Sequence, residues 1–372
     1  MSDPDVLPDS AHRMTAAVWM VLLAVGLAVG IGALGKVELA PQLRGLDAWL
    51  DGRTETALNR AIKLPGQERI ETANAAVRYR MLGDLGTQVA LGCPQWMFYQ
   101  DGLHAQPDTQ PQVQGERLRL LKSWSEQLAA RQVRLLVVAV PDKARIEAGH
   151  LCGRAMAPEL QAQYDTLARA LEDSGIAFAD LRAVLGHRNE DMFFRTDVHM
   201  NPAGARLAAQ AVARAALPLL GGAKGEQAFE VSPPATPQPR MGDLLVLSGL
   251  KSAPPGWRPD IETVAEQAVA PVRGGGLLDD TPPVQVLLAG SSNGLRSHFA
   301  EWLGMDLGRE VWNLSMDGGQ FSGAMQKALG QSGQWPQTLR LVIWEFSENT
   351  LSLPLTDDEK KALAQLPAAA RN

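Results

Sequence analysis

The sequence predicts an α/β fold, a parallel sheet flanked by helices, preceded by an N-terminal transmembrane helix. Three observations carry this. An uncharged run, MTAAVWMVLLAVGLAVGIGALG, spans Met14 to Gly35. From Gly115 onward, short apolar runs of strand type alternate with segments of helical periodicity. Strands separated by helices pair in parallel through crossover connections. Hydrophobic residues form 45% of the 372, enough for a core on both faces of such a sheet.

Taken in order, residues 1–13 form a polar tail, expected on the cytoplasmic side, and 14–35 the membrane anchor. A helix of that length spans a hydrocarbon layer of about 30 Å. A cleaved signal peptide is the competing reading, because Gly30-Ile31-Gly32 and Ala33-Leu34-Gly35 resemble small-x-small cleavage sites; the length of the run favours the anchor. Arg13 on one side and Lys36 and Arg44 on the other leave orientation undecided. Residues 36–85 read as a stalk, and 86–355 as the main domain. Within the domain, QWMFYQDGL is a strand and turn, VRLLVVAVP a buried strand, and APELQAQYDTLARALEDSG a helix stopped by Gly175. IAFADL is a short strand. The Pro- and Gly-rich stretch at about 228–283 reads as a loop-rich insertion. Beyond it, VQVLLAG, EVWNLS and LRLVIWEFS are strands alternating with the helices SHFAEWLGMDLG and GAMQKALGQSG. Residues 356–372 form a C-terminal tail with one last helix.

The net charge of −6 and the lack of any basic block give no basis for nucleic-acid binding. Cys93 and Cys152 are the whole cysteine inventory. They are either one disulfide or two separate thiols; a disulfide places the domain in an oxidising compartment, the periplasm. No group of Cys and His has metal-ligand spacing, so neither a metal nor a cofactor is expected.

The chemistry is expected at the carboxyl ends of the strands, where open α/β sheets bind ligands. VQVLLAG runs into Gly290-Ser291-Ser292-Asn293-Gly294. A turn of small residues leaves a serine oxygen exposed and lets N–H groups point at an oxyanion. A serine hydroxyl needs a base. RTDVHMNPAGA supplies His199 as that base and Asp197 to orient it, since side chains two apart in an extended segment share a side. Asn201 and Pro202 then read as N-cap and first residue of a helix. Lys143 and Arg145, after a strand end, either hold a polar substrate or form a salt-bridged pair. Asp142 caps a turn. Trp96, Phe98 and Tyr99 serve either the core or a sugar-stacking face. His104, His150, His187 and His298 have no partner in these motifs.

The ordered set of motifs resembles the AlgJ/AlgX family of alginate-type O-acetyltransferases, SGNH-hydrolase-like domains with permuted motif order. FFRTDVHMNPAGA is similar to that family's Asp-x-His block and LLAGSSNG to its nucleophile block. QWMFYQDGL, VVAVPDKARIEAGHL, MGDLLVLSGL and LVIWEFSEN match further segments, covering roughly Gln88 to Leu351. The resemblance implies Ser292 as nucleophile, His199 as base and Asp197 as its partner. Ser291 shares or replaces Ser292; the third position of the motif favours Ser292. It also implies Gly318 or Gly319 in the oxyanion hole and Asn349 as a second candidate, although the family pattern carries a basic residue at that last position. The implied activity is acetyl transfer to an extracytoplasmic polysaccharide, through an acetyl-serine, from a membrane-bound O-acyltransferase partner. Hydrolysis by a polysaccharide O-acetyl esterase and a non-catalytic assembly role are the alternatives. The chain ends soon after Trp344-Glu345, which resembles the membrane-anchored AlgJ type.

Overall fold

The computed structural model describes residues 9–38, 40–43, 45–62, 66–105, 112–186, 189–273 and 283–366. The chain divides into two units, Met1–Asn74 and Ala75–Asn372. The first carries a helix over Asp9–Leu34, of which Arg13–Leu34, 22 residues, is apolar enough to cross a membrane. At 1.5 Å per residue that segment is about 33 Å long. Its leucines and valines are exposed all round, as on a helix made for an apolar solvent. Two short helices follow, Leu46–Leu50 and Arg53–Ala61; the second is tied to the turn before the first, where the Thr54 hydroxyl donates to the Leu43 carbonyl at 2.6 Å. The helix Gln67–Leu82 begins in the first unit and ends in the second. The expected stalk, 36–85, is therefore too long at its C-terminal end: Ala76 and Leu85 are buried in a core cluster of the second unit.

The second unit is built on five parallel strands: β1 Arg134–Val140, β2 Ala177–Asp180, β3 Val286–Ala289, β4 Val311–Asn313 and β5 Leu341–Ser347. Their order across the sheet is β4-β3-β5-β1-β2. Strands covered on both faces have no polar side, which is why LLVVAV and LVIW read as unbroken apolar runs. Alternate residues serve opposite cores. Leu135, Val137, Ala139, Val342 and Trp344 pack against α1 Gln112–Ala129, α2 Pro158–Asp173 and α5 Gly323–Gly330. Leu136, Val138, Val140, Leu341 and Ile343 pack against α3 Pro202–Leu219 and α4 Phe299–Leu307. The last helix, α6 Asp357–Ala364, is held by a buried ion pair of Arg117 on α1 with Glu359 at 3.1 Å.

The loop-rich insertion carries short paired strands and a helix. Phe229–Val231 pairs antiparallel with Val269–Pro271, Gln238–Arg240 pairs with Glu262–Val264, and Asp243–Leu247 is a short helix. Three-residue strands are too short to show alternation, and each finds its partner far along the chain. Residues 274–282 of that insertion, like 1–8 of the tail, 367–372 of the C-terminus and His187, lie outside the described residues. Cys93 and Cys152 are joined in a disulfide with Cα atoms 5.7 Å apart.

Candidate active site

The carboxyl ends of the strands surround one cavity of about 500 Å³. Its wall comes from the loops after β1 (Pro141 to Lys143), β3 (Ser291 to Asn293), β4 (Gly318 to Gln320) and β5 (Ser347, Asn349, Thr350), from His199, and from the insertion helix (Asp243, Val246, Leu247). This is the edge at which parallel sheets bind ligands.

After β3 the chain turns at Gly290 and enters a single 3₁₀ turn, Ser292–Leu295. A Cβ on Gly290 would stand 2.4 Å from the Ser315 hydroxyl and 2.9 Å from Glu345 Oε2, so the turn closes this tightly only with glycine. The two serines then part. Ser291 faces inward: its N–H and its hydroxyl both donate to the Glu345 carboxylate, at 2.6 and 2.8 Å. Ser292 faces the cavity, with Oγ 2.7 Å from His199 Nε2. Ser291 thus gives its N–H and hydroxyl to Glu345 while remaining in the cavity wall, and the Gly290 carbonyl accepts the Met316 N–H at 3.0 Å. Asn293 completes the turn. Its Oδ1 accepts the Met200 N–H and its Nδ2 donates to the Ser347 hydroxyl, both at 3.3 Å.

His199 is buried. Its Nδ1–H donates to Asp197 Oδ1 at 2.6 Å, and the same oxygen accepts the His199 backbone N–H at 3.1 Å. The pair therefore sits in a tight side-chain-to-backbone turn, not the extended segment expected. Asn201 caps α3 by accepting the Gly204 N–H at 2.9 Å, with Pro202 as first helical residue, as the sequence predicts. The other Asp197 oxygen accepts from Arg240 of the insertion at 2.9 Å. Burial opposes charge on Asp197, but the bond from His199 and the Arg240 guanidinium outweigh it and hold the carboxyl well below the usual range. Arg240 in turn lies over the Phe194 ring. A second insertion residue, Glu262, accepts the N–H groups of Arg195 and Thr196 at 2.6 and 2.8 Å. Gly242 passes so close that a Cβ there would lie 2.0 Å from the Thr196 carbonyl oxygen.

Lys143 and Arg145 do not face the cavity as free cations. The three protons of Lys143 Nζ go to the carbonyls of Met97, Arg195 and Asp197, at 2.6, 2.8 and 2.9 Å. Burial pushes this ammonium down to about 7, against the charges of Glu262 and Asp197. Arg145 makes a paired contact with the buried Glu348, with Nε 2.9 Å from Oε2. Both tie the β1 loop to its neighbours. Asp142 caps the short helix after β1 by accepting the Ala144 N–H; burial, then the charge of Glu348, raise it to about 7. Asn349 lines the cavity, and its Oδ1 is buried without a partner among the described residues. Gly318 and Gly319 line it too, and their N–H groups make no hydrogen bond among the described residues. Tyr99 is part of the wall, whereas Trp96 and Phe98 are core residues beside Lys143. His150 does find partners: it stacks on Trp96, donates from Nδ1 to the Cys93 carbonyl, and lies 3.1 Å from Asp191. The fold also brings Glu147 beside His150 and Asp191, a grouping at metal-binding distance that sequence spacing does not reveal.

Sequence reasoning missed Arg240, Glu262, Asn293 and Asp243, and gave Glu345 no role. Asn293, Glu345 and Asp243 lay inside quoted motifs; Arg240 and Glu262 carried no local signal.

A three-layer α/β unit with a Ser-His-Asp line at the carboxyl edge of its sheet has the architecture of a hydrolase-like α/β protein. The model of the SGNH hydrolase-like domain of acetyltransferase AlgX matches residues 89–348, and the chain belongs to that family. It is 29% identical over 309 residues to the "Probable alginate O-acetylase AlgJ" of Azotobacter vinelandii, covering 80% of this chain and 79% of the relative. Identity with the protein of the same name from Pseudomonas putida is 26%, over 95% of this chain and 94% of the relative. The solved O-acetyltransferase domain of Pseudomonas putida AlgJ superposes with a TM-score of 0.62 at 26% identity, covering 74% of this chain and 97% of that one. Pseudomonas aeruginosa AlgX shares the fold, with a TM-score of 0.54 at 20% identity over 73% of this chain and 66% of that one.

Proposed function

We propose that this protein O-acetylates a polysaccharide through Ser292, His199 and Asp197. The observation that carries the reading is the unbroken hydrogen-bonded line from Ser292 Oγ through His199 to Asp197, opening on the cavity. Relatives named as alginate O-acetylases support the reaction class. In the first step Ser292 Oγ attacks the donor's acetyl carbonyl while His199 Nε2 takes the hydroxyl proton. Asp197, kept ionised by His199 and Arg240, fixes the Nδ1–H tautomer and stabilises the imidazolium. Collapse of the tetrahedral intermediate expels the leaving group, which takes the proton from His199, and leaves acetyl-Ser292. A glycan hydroxyl then attacks the acyl carbon, His199 removes its proton, and the serine is regenerated as the O-acetyl sugar departs. The free N–H groups of Gly318 and Gly319 are the oxyanion donors, with Asn349 beside them. Asn349, Gly318 and Gly319 are thereby ligand-facing residues, while Lys143 and Arg145 are structural.

The apolar helix anchors the chain in the inner membrane, with the domain in the periplasm, where the Cys93–Cys152 bridge persists. Tethering keeps the site beside a membrane-bound O-acyltransferase that supplies the acetyl group. The test is acetyl release from a small activated ester, and transfer to an oligosaccharide, by wild type and Ser292→Ala. The expected loss in the variant is about 10³-fold or more with folding unchanged. Transfer that persists in the variant rules the serine mechanism out.

A further inference from the structure

The charges around the cavity define the acceptor further, on the acyl-transfer reading of this site. Lys143 is the sole lysine or arginine among the described lining residues, and its three protons are given to backbone carbonyls. The cations behind the wall are likewise paired: Arg145 with Glu348, Arg240 with Asp197, and Arg296 with Asp317. Asp243 is the opposite case. Its half-exposed carboxylate is on the cavity wall, 3.4 Å from His199 Nδ1, with no lysine or arginine partner among the described residues.

A uronate residue brings one carboxylate per sugar, and a carboxylate only accepts hydrogen bonds. In this cavity it would meet no available cation, and it would face the carboxylate of Asp243, a like charge. An uncharged hexose meets neither penalty. Its hydroxyls donate to Asp243 and both donate to and accept from neutral amides such as Asn349 and Gln320. We propose that the sugar unit acetylated here is uncharged, and that Asp243 disfavours a uronate in its place. The specificity is thus in part repulsive.

The test uses one glycan in two charge states: an oligomannuronate, and the same oligomer after its carboxylates are reduced to alcohols. Each is titrated by calorimetry into the full-length Ser292→Ala protein in detergent at about 0.1 M salt. The reduced oligomer is expected to bind about tenfold more tightly, with Asp243→Asn and high salt each narrowing the gap. Equal or tighter binding of the mannuronate, a ratio indifferent to Asp243→Asn, or no binding of either oligomer overturns the proposal. Binding does not depend on acyl transfer. Ester hydrolysis that survives Ser292→Ala would defeat the mechanistic reading by itself, and the binding ratio would still decide the acceptor.

Discussion

Two adjacent serines with different surroundings have different work. Ser291 is fixed by both oxygens of Glu345, and that fixation leaves Ser292 in line with His199. Glu345 is fully enclosed. Burial raises its carboxyl to about 7, although the two bonds from Ser291 favour the charged form. The sign of the pH effect follows. Between the unfolded value of 4.5 and the folded value of about 7, the folded chain keeps a proton that the unfolded chain has lost. The stabilisation is full below 4.5 and is lost as pH rises to about 7. Thermal and urea unfolding of wild type and Glu345→Gln at pH 5 and 7.5 should show the wild type losing more stability on going up, by about 1–3 kcal/mol. Identical pH slopes would mean that Glu345 is ionised in the folded protein. Asp142 shifts the same way and remains in both proteins, so it cancels in the comparison. At this scale the sequence was informative: Ser292, His199 and Asp197 were legible because each residue type has chemistry at its spacing. The division between Ser291 and Ser292 was not, because it depends on a carboxylate that arrives from another strand.

Elements far apart in the chain assemble this site, and the insertion contributes most that local patterns conceal. Its first hairpin strand carries Arg240 to Asp197, and its partner strand carries Glu262 to the residues just before Asp197. The intervening helix carries Asp243 to the cavity. Replacing Arg240 with Leu removes a charge-assisted bond from Asp197 and leaves the buried carboxylate with one partner fewer. Such bonds contribute about 1.5–3 kcal/mol, so acetyl transfer should fall about 10- to 100-fold in a protein that still folds. Wild-type kinetics in Arg240→Leu would show that His199 alone holds Asp197 in place. The sheet strands themselves were legible, because strands covered on both faces are continuous apolar runs. The pairing inside the loop-rich insertion is not legible, because its strands are three residues long and set among Pro and Gly.

For the whole molecule, Cys93–Cys152 closes a loop of 59 residues around β1, the strand that leads to Lys143. Closing a loop of that size restricts the unfolded chain by about 4 kcal/mol in the chain-entropy model. Replacing both cysteines with alanine should lower unfolding stability by about 2–4 kcal/mol, read by urea denaturation under non-reducing conditions. No change would mean that the unfolded chain is restricted by other means. The sequence by itself determined the parallel α/β class and the apolar N-terminal helix, and it brought forward Ser292, His199 and Asp197 as candidates. Periodicity and residue chemistry are local properties, and a few neighbouring residues suffice to state them. Only the tertiary structure decided that Lys143 and Arg145 are internal ties, that Glu345 holds the N–H and hydroxyl of Ser291, that Arg240 completes Asp197, and that Asp243 stands unpaired by any lysine or arginine among the described residues. Each depends on which groups meet after folding, and the partners of a buried charge are set by chain topology, not by its neighbours in sequence.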